Sequence, residues 1–125
     1  MKSKTIAYWT TTTLVSLALA SGGATELARP PQAMAGMARL GYPPYFMTIL
    51  GVWKLLGVIA ILIPRFPRLK EWAYAGIFFD FTGAAASHFA SSDYGAGDFH
   101  IIVPLVLTAL AITSWALRPE GRRLR

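Results

Sequence analysis

The chain has 125 residues, of which 54% are apolar and only 14% are charged, and its formal net charge is +6. A soluble domain carries about 25% charged residues, so a single domain of this composition has too few charges for a surface in water and indicates lipid as its solvent. The absence of cysteine excludes thiol chemistry, and the positive charge does not indicate nucleic acid, because it lies in short loops and tails between apolar segments.

Four apolar segments follow one another along the chain. As helices rising 1.5 Å per residue, each is long enough to cross about 30 Å of hydrocarbon. A helix satisfies its own backbone polar groups in lipid, so we expect an all-α fold. We predict one transmembrane four-helix bundle over residues 1–125, with spans at about residues 5–28, 45–63, 71–91 and 99–117.

The first segment has a second interpretation, as a cleaved signal peptide. Lys2-Ser3-Lys4 would supply its charged start and Ala18-Leu19-Ala20 its cleavage site. We favour a retained span for two reasons. The threonines at 10–13 weaken the apolar region that a signal peptide requires, and the helical spacing continues to Glu26.

Residues 29–44 form the longest predicted connection. Met34, Met37 and Leu40 occur in it among small residues. They indicate a short amphipathic helix on the outer face of the membrane. Further along, Pro104 predicts a kink inside the fourth span, because proline removes a helical hydrogen bond.

Lysine and arginine predict the orientation, because cytoplasmic loops carry an excess of both. Nine of them fall on one side of the predicted spans and two, Arg29 and Arg39, on the other. We therefore predict a multi-pass protein of the cell inner membrane with both termini in the cytoplasm. The nine are Lys2, Lys4, Arg65, Arg68, Lys70, Arg118, Arg122, Arg123 and Arg125.

Two ionisable residues, Lys54 and Asp80, lie near the middle of the second and third spans. An isolated charge at the centre of a bilayer costs about 2.5 kcal/mol or more, so we predict that they form an ion pair. The pair could fix the register of two antiparallel helices, or it could line a cavity and respond to protons or a ligand.

Helical spacing also predicts which faces of these two spans pack. On the second span, Gly51 shares a face with Lys54 and leaves room for its side chain; Met47, Val58 and Ile61 lie on the same face. On the third span we expect a packing seam of small residues around Asp80, with the larger side chains turned away. The seam comprises Ala73, Gly76, Gly83, Ala84, Ser87 and Ser91, and the outward side chains are Tyr74, Phe78, Thr82 and Phe89.

A second group of polar residues is predicted near the outer surface. Glu26 is expected to face His88, with His100 nearby. These groups could relay protons or hold a polar ligand, or they could simply bond to one another and to water. Asp98 belongs to the same region and is also suited to be the N-cap of the fourth helix. We predict no metal site, because no tight ligand spacing such as His-x-x-x-His is present.

Several sequence runs resemble the DoxX-like family, most densely from Gly51 to Asp98. They are Lys54-Leu55-Leu56-Gly57, Leu69-Lys70-Glu71-Trp72-Ala73-Tyr74-Ala75-Gly76, Asp80-Phe81-Thr82-Gly83-Ala84, Ser87-His88 and Gly97-Asp98, with Pro64 between the first two. The family comprises small bacterial four-helix membrane proteins and takes its name from a membrane subunit of a thiosulfate:quinone oxidoreductase. The resemblance implies a link to quinones or to a redox partner, and it assigns no catalytic residue.

These observations predict a non-enzymatic accessory protein or a protein that binds a small lipophile such as a quinone. One alternative is a membrane subunit of a quinone-linked oxidoreductase. Another is a small proton-coupled transporter, which would act as a homodimer because four helices leave little room for a transport path. The candidate ligand-binding or proton-handling residues are Glu26, Lys54, Asp80, His88 and His100.

Overall fold

A computed structural model describes residues 2–93 and 95–123, and all regular secondary structure in these ranges is helical. This confirms the predicted all-α class. The five α-helices are α1 (Lys2–Ala28), α2 (Pro31–Arg39), α3 (Pro44–Leu62), α4 (Pro67–Ala90) and α5 (Phe99–Ala116). Arg125, one of the nine predicted cytoplasmic charges, lies outside the described residues.

Prolines set the starts of three helices. Pro31, Pro44 and Pro67 occupy the first position of α2, α3 and α4, where the missing backbone N–H would have no helical partner in any case. The helix predicted in the first connection is confirmed as α2. Pro104 lies inside α5, which continues from Phe99 to Ala116 as one helix.

The four long helices pack in a ring. α1 lies mainly against α3 and also against α5, while α4 lies mainly against α5 and also against α3. α1 and α4 therefore occupy opposite corners. The apolar core between the helices contains Val15, Leu19, Ile61, Tyr74, Ile77, Phe81 and Ala111.

Two described helices, α3 and α5, are long and apolar enough to cross a membrane, with mean hydropathies of 2.0 and 1.9. α1 and α4 are also long, but neither is apolar enough by the same measure, since α1 carries the threonines at 10–13 and α4 carries charged residues. Only 22% and 17% of the apolar stretches of α3 and α5 are buried in the bundle. Most of both helices thus faces outward, unlike the core helix of a soluble protein.

The predicted packing seam on α4 is wrong. Tyr74, expected to point away, is 4% exposed, whereas a Cβ added at Gly76 or Gly83 would have no atom within 4 Å. Burying large side chains removes more apolar area from solvent than burying glycines, so α4 turns Tyr74, Ile77 and Phe81 towards the core. Phe78 and Phe89 are exposed, as predicted. The buried residues of α4 are Lys70, Tyr74, Ile77, Phe81 and Ala85.

The predicted packing face of α3 is confirmed at Met47, Gly51 and Ile61, which are all buried. α1 and α3 cross at Gly23 and Gly51. A Cβ on Gly51 would lie 2.8 Å from the carbonyl oxygen of Gly23, so the two backbones are too close for any larger residue there. This close crossing brings the middle of α3 against the end of α1.

The C-terminal end of α3 is capped by two cations. The buried Lys70 Nζ donates to the carbonyl oxygens of Ala60 (2.9 Å), Arg65 (2.7 Å) and Ile63. Arg122 donates to three carbonyls at the same helix end. Burial lowers the pKa of Lys70 to about 8, and the neighbouring arginines add to the shift. Two of the charges that indicated orientation therefore also satisfy carbonyls that a helix end leaves without partners.

Candidate functional site

Three ionisable side chains from three helices meet inside the bundle; we call Glu26, Lys54 and Asp80 the Lys54 cluster. Lys54 Nζ donates to Glu26 Oε1 and lies 3.9 Å from Asp80 Oδ2. The three side chains are 15% to 22% exposed, so they are mostly shielded by the bundle. Their position makes this cluster the strongest candidate for function, because ionisable groups among apolar helices are costly.

Glycines on α1 make room for the lysine. A Cβ at Gly22 would lie 3.5 Å from Lys54 Nζ, and one at Gly23 would lie 3.2 Å from Lys54 Cβ. With only hydrogens at these two positions, the lysine chain can lie along α1 and reach Glu26, one turn further on. Gly51 was the residue predicted to make this room, but a Cβ there would meet Gly23 and Leu27, and the glycines beside the lysine are those of α1.

The charges of the Lys54 cluster do not balance. One lysine faces two carboxylates, and Glu26 Oε2 is buried without a hydrogen bond to any residue that the structure describes. A buried acceptor without a donor is unfavourable by about 1–3 kcal/mol. The cluster can therefore accept one further hydrogen bond or proton, while the lysine can donate to a ligand.

The structure changes the predicted pairing of Glu26. Asp80 lies within ion-pair distance of Lys54, but Glu26 is the closer partner of the lysine. The prediction that Glu26 faces His88 is wrong. Depth in the membrane had suggested that pair, yet α1 and α4 occupy opposite corners of the ring and α1 presents Glu26 to α3.

His88 and His100 do come together, and they share a carboxylate that the sequence analysis missed. His88 Nδ1 lies 3.3 Å from Asp93 Oδ2, and His100 Nδ1 lies 3.1 Å from Asp93 Oδ1. The centroids of the two imidazole rings are 4.7 Å apart. We call these three residues the histidine cluster. The sequence signal for Asp93 was its position as a carboxylate in the short loop between the two histidines.

The loop is shaped to close the histidine cluster. Ser92 and Asp98 adopt the left-handed conformation, with φ of 58° and 61°. Gly95 also has a positive φ, and a Cβ there would lie 2.8 Å from the His100 ring. Asp98 occupies the predicted N-cap position of α5 but makes no side-chain capping hydrogen bond.

Asp93 is held as a carboxylate by its neighbours. Slight desolvation acts to raise the pKa of Asp93, but the hydrogen bond from His100 and the positive charges around it outweigh this effect and lower the pKa. Arg39 of α2 is one of those charges. The carboxylate is thus ionised over the whole physiological pH range and can bind a cation.

A sequence model described as the DoxX-like family matches residues 10–114 of the chain. The matched range contains both clusters and most of the five helices. No curated protein and no solved structure matches the chain significantly. The resemblance to this family, noted from runs between Lys54 and Asp98, is therefore confirmed.

Proposed function

Because the chain belongs to the DoxX-like family, we propose that it is an integral inner-membrane protein whose four long helices all cross the bilayer. Two observations support this proposal. α3 and α5 turn most of their apolar surface outward, and α1 and α4 also expose large apolar side chains such as Ile6, Leu17 and Phe79. An apolar surface of this extent requires lipid or a partner protein to cover it.

The orientation has a direct test. Reporter fusions in the segment from Arg65 to Lys70 and at the C-terminus should give cytoplasmic signals, and fusions at Gln32 and Gly95 should give periplasmic ones. The distribution of lysine and arginine motivates the expectation. A periplasmic signal from the segment between α3 and α4 would invert the proposed arrangement.

Within the membrane, the proposed role is non-enzymatic binding of a small lipophile of the quinone type. The observation that carries this role is the unbalanced Lys54 cluster inside an apolar bundle. Lys54 can donate to a quinone carbonyl, and the unpaired Glu26 Oε2 can accept a hydrogen bond from a quinol hydroxyl. Trp53, which is next to Lys54 and exposed, adds an aromatic surface on the outside of α3.

An apolar groove away from the Lys54 cluster offers a control location. It lies between α4 and α5, has a volume of about 250 Å³, and is lined by residues that include Tyr74, Phe78 and Trp115. No residue of the Lys54 cluster lines it. A lipophile bound in this groove would be insensitive to substitutions at Glu26 and Lys54, so the two locations can be distinguished.

We expect the purified protein to bind a ubiquinone or menaquinone analogue, measured by quenching of tryptophan fluorescence and by calorimetry. Lys54→Met and Glu26→Gln should each weaken binding by about 10-fold or more, the value of one lost hydrogen bond to a charged group. His88→Ala should bind as the wild type does. Wild-type protein that binds no quinone would contradict the proposed role, and loss of binding in Phe78→Ala alone would place the ligand in the α4–α5 groove.

The charge imbalance also favours a second candidate function, proton-coupled transport by a homodimer. A lysine between two carboxylates can change its protonation state when a substrate arrives. Proton uptake or release that accompanies ligand binding, lost in Asp80→Asn, would support this candidate over simple binding. A bound quinone would equally suit a membrane subunit of an oxidoreductase, with a redox partner that exchanges electrons with it.

A further inference from the structure

We propose that the histidine cluster is a binding site for a divalent transition-metal ion of the Zn²⁺ type. The ligands are Nδ1 of His88, Nδ1 of His100 and the carboxylate of Asp93. This site is separate from the Lys54 cluster and independent of quinone binding.

The spacing of the ligand atoms fits a tetrahedral ion. Bonds of about 2.0–2.1 Å to nitrogen and oxygen place neighbouring ligands of a tetrahedral Zn²⁺ about 3.3 Å apart. His88 Nδ1 lies 3.3 Å from Asp93 Oδ2 and His100 Nδ1 lies 3.1 Å from Asp93 Oδ1, so each nitrogen approaches a different oxygen of the same carboxylate. One ligand atom from each of the three residues lies within 4.8 Å of the other two. Small side-chain rotations would therefore suffice to centre an ion between them.

The chemistry of the cluster also fits. Two imidazoles and one carboxylate are ligands that Zn²⁺ takes in proteins, with a fourth position left for water. The backbone carbonyl oxygen of Asp93 lies 3.1 Å from His88 Nδ1 and 3.3 Å from His100 Nδ1, so it is a further oxygen close to both nitrogens. In the metal-free protein each Nδ1 that carries a proton donates to these oxygens, and the ion replaces those protons.

The ligands are contributed by separate structural elements, which explains why sequence spacing did not indicate the site. His88 is in the last turn of α4, Asp93 is in the loop and His100 is in the first turn of α5. The left-handed residues of the loop reverse the chain, and Gly95 leaves space for the His100 ring. Arg39 opposes a cation at this site, because its positive charge acts on Asp93.

The test is Zn²⁺ binding to the full chain, purified without a polyhistidine tag in mild detergent. We expect one Zn²⁺ per chain by calorimetry, and Co²⁺ should give visible absorption bands of a tetrahedral complex. Asp93→Asn and His100→Ala should each weaken Zn²⁺ binding at least about 10-fold. Arg39→Gln should strengthen it, because the opposing charge is removed.

Asp98→Asn is the matched control, because Asp98 is in the same loop and exposed but is not a ligand. It should bind Zn²⁺ as the wild type does. A cooperative melting transition without Zn²⁺ shows that each variant is folded. Added Zn²⁺ should raise the melting temperature of the wild type and of Asp98→Asn but not of Asp93→Asn, because only a protein that binds the ion is stabilised by it. Absence of Zn²⁺ binding by the wild type, or equal binding by all variants, would overturn the proposal.

Discussion

Replacing Lys54 by methionine should lower the free energy of unfolding by about 3 kcal/mol. The substitution leaves Glu26 and Asp80 in the bundle without their common cation. Removing one partner of a buried ion pair costs about 3–5 kcal/mol, and the lower end applies because these side chains are 15% to 22% exposed. Reversible unfolding in mixed detergent micelles measures the change.

The two carboxylates should differ in their effects. Glu26 makes the hydrogen bond to Lys54 Nζ, while Asp80 lies 3.9 Å away, so Glu26→Gln should destabilise the protein more than Asp80→Asn. The triple variant Glu26→Gln, Lys54→Met, Asp80→Asn should recover much of the loss, because it leaves no charge uncompensated. Lys4→Met, at an exposed lysine of α1, is the control and should have little effect. A triple variant as unstable as the sum of the single ones would mean that the three residues are not coupled.

Ser114→Ala should lower the free energy of unfolding by about 2 kcal/mol. Ser114 is fully buried, and its hydroxyl bonds to Thr12 Oγ1 (2.6 Å) and to the Tyr74 hydroxyl (2.7 Å), which joins α5 to α1 and α4. The alanine leaves both partner hydroxyls in the bundle without that bond, and each loss costs about 1 kcal/mol or more. The same unfolding measurement applies.

Thr113→Ala provides the matched control for this prediction. Thr113 is the preceding residue of α5 and is exposed, and its hydroxyl bonds only to the carbonyl of Ala109 in its own helix. Its replacement should change stability by less than about 0.5 kcal/mol. Adding Thr12→Val and Tyr74→Phe to Ser114→Ala should restore part of the lost stability, because the two hydroxyls that lost their bond to Ser114 are removed as well. Equal effects of the serine and threonine substitutions would show that the junction contributes nothing.

The sequence by itself determined the helical class, the proline-marked breaks between the helices, and the α3 face of Met47, Gly51 and Ile61 that packs in the bundle. These features depend on local chemistry. Proline is favoured at the first position of a helix, as at Pro31, Pro44 and Pro67, and the lipid-like composition leaves helices as the only regular structure for these segments. The family could also be identified from the sequence, because the runs that resemble it are contiguous in the chain.

Only the tertiary structure decided which ionisable groups meet. Position along a helix gives depth but not direction around the axis, so Glu26 and His88 could be placed at one level while facing different neighbours. The long, flexible side chain of Lys54 reached Glu26 on α1 because Gly22 and Gly23 leave space beside it. α4 packs on the face of Tyr74, Ile77 and Phe81 rather than on the face of its glycines, since burial of apolar area outweighs close backbone approach there. Asp93 meets the two histidines because left-handed loop residues fold the chain back. Two of these residues, Ser92 and Asp98, are not glycines, and the left-handed conformation of such residues is uncommon and is not predicted from their type.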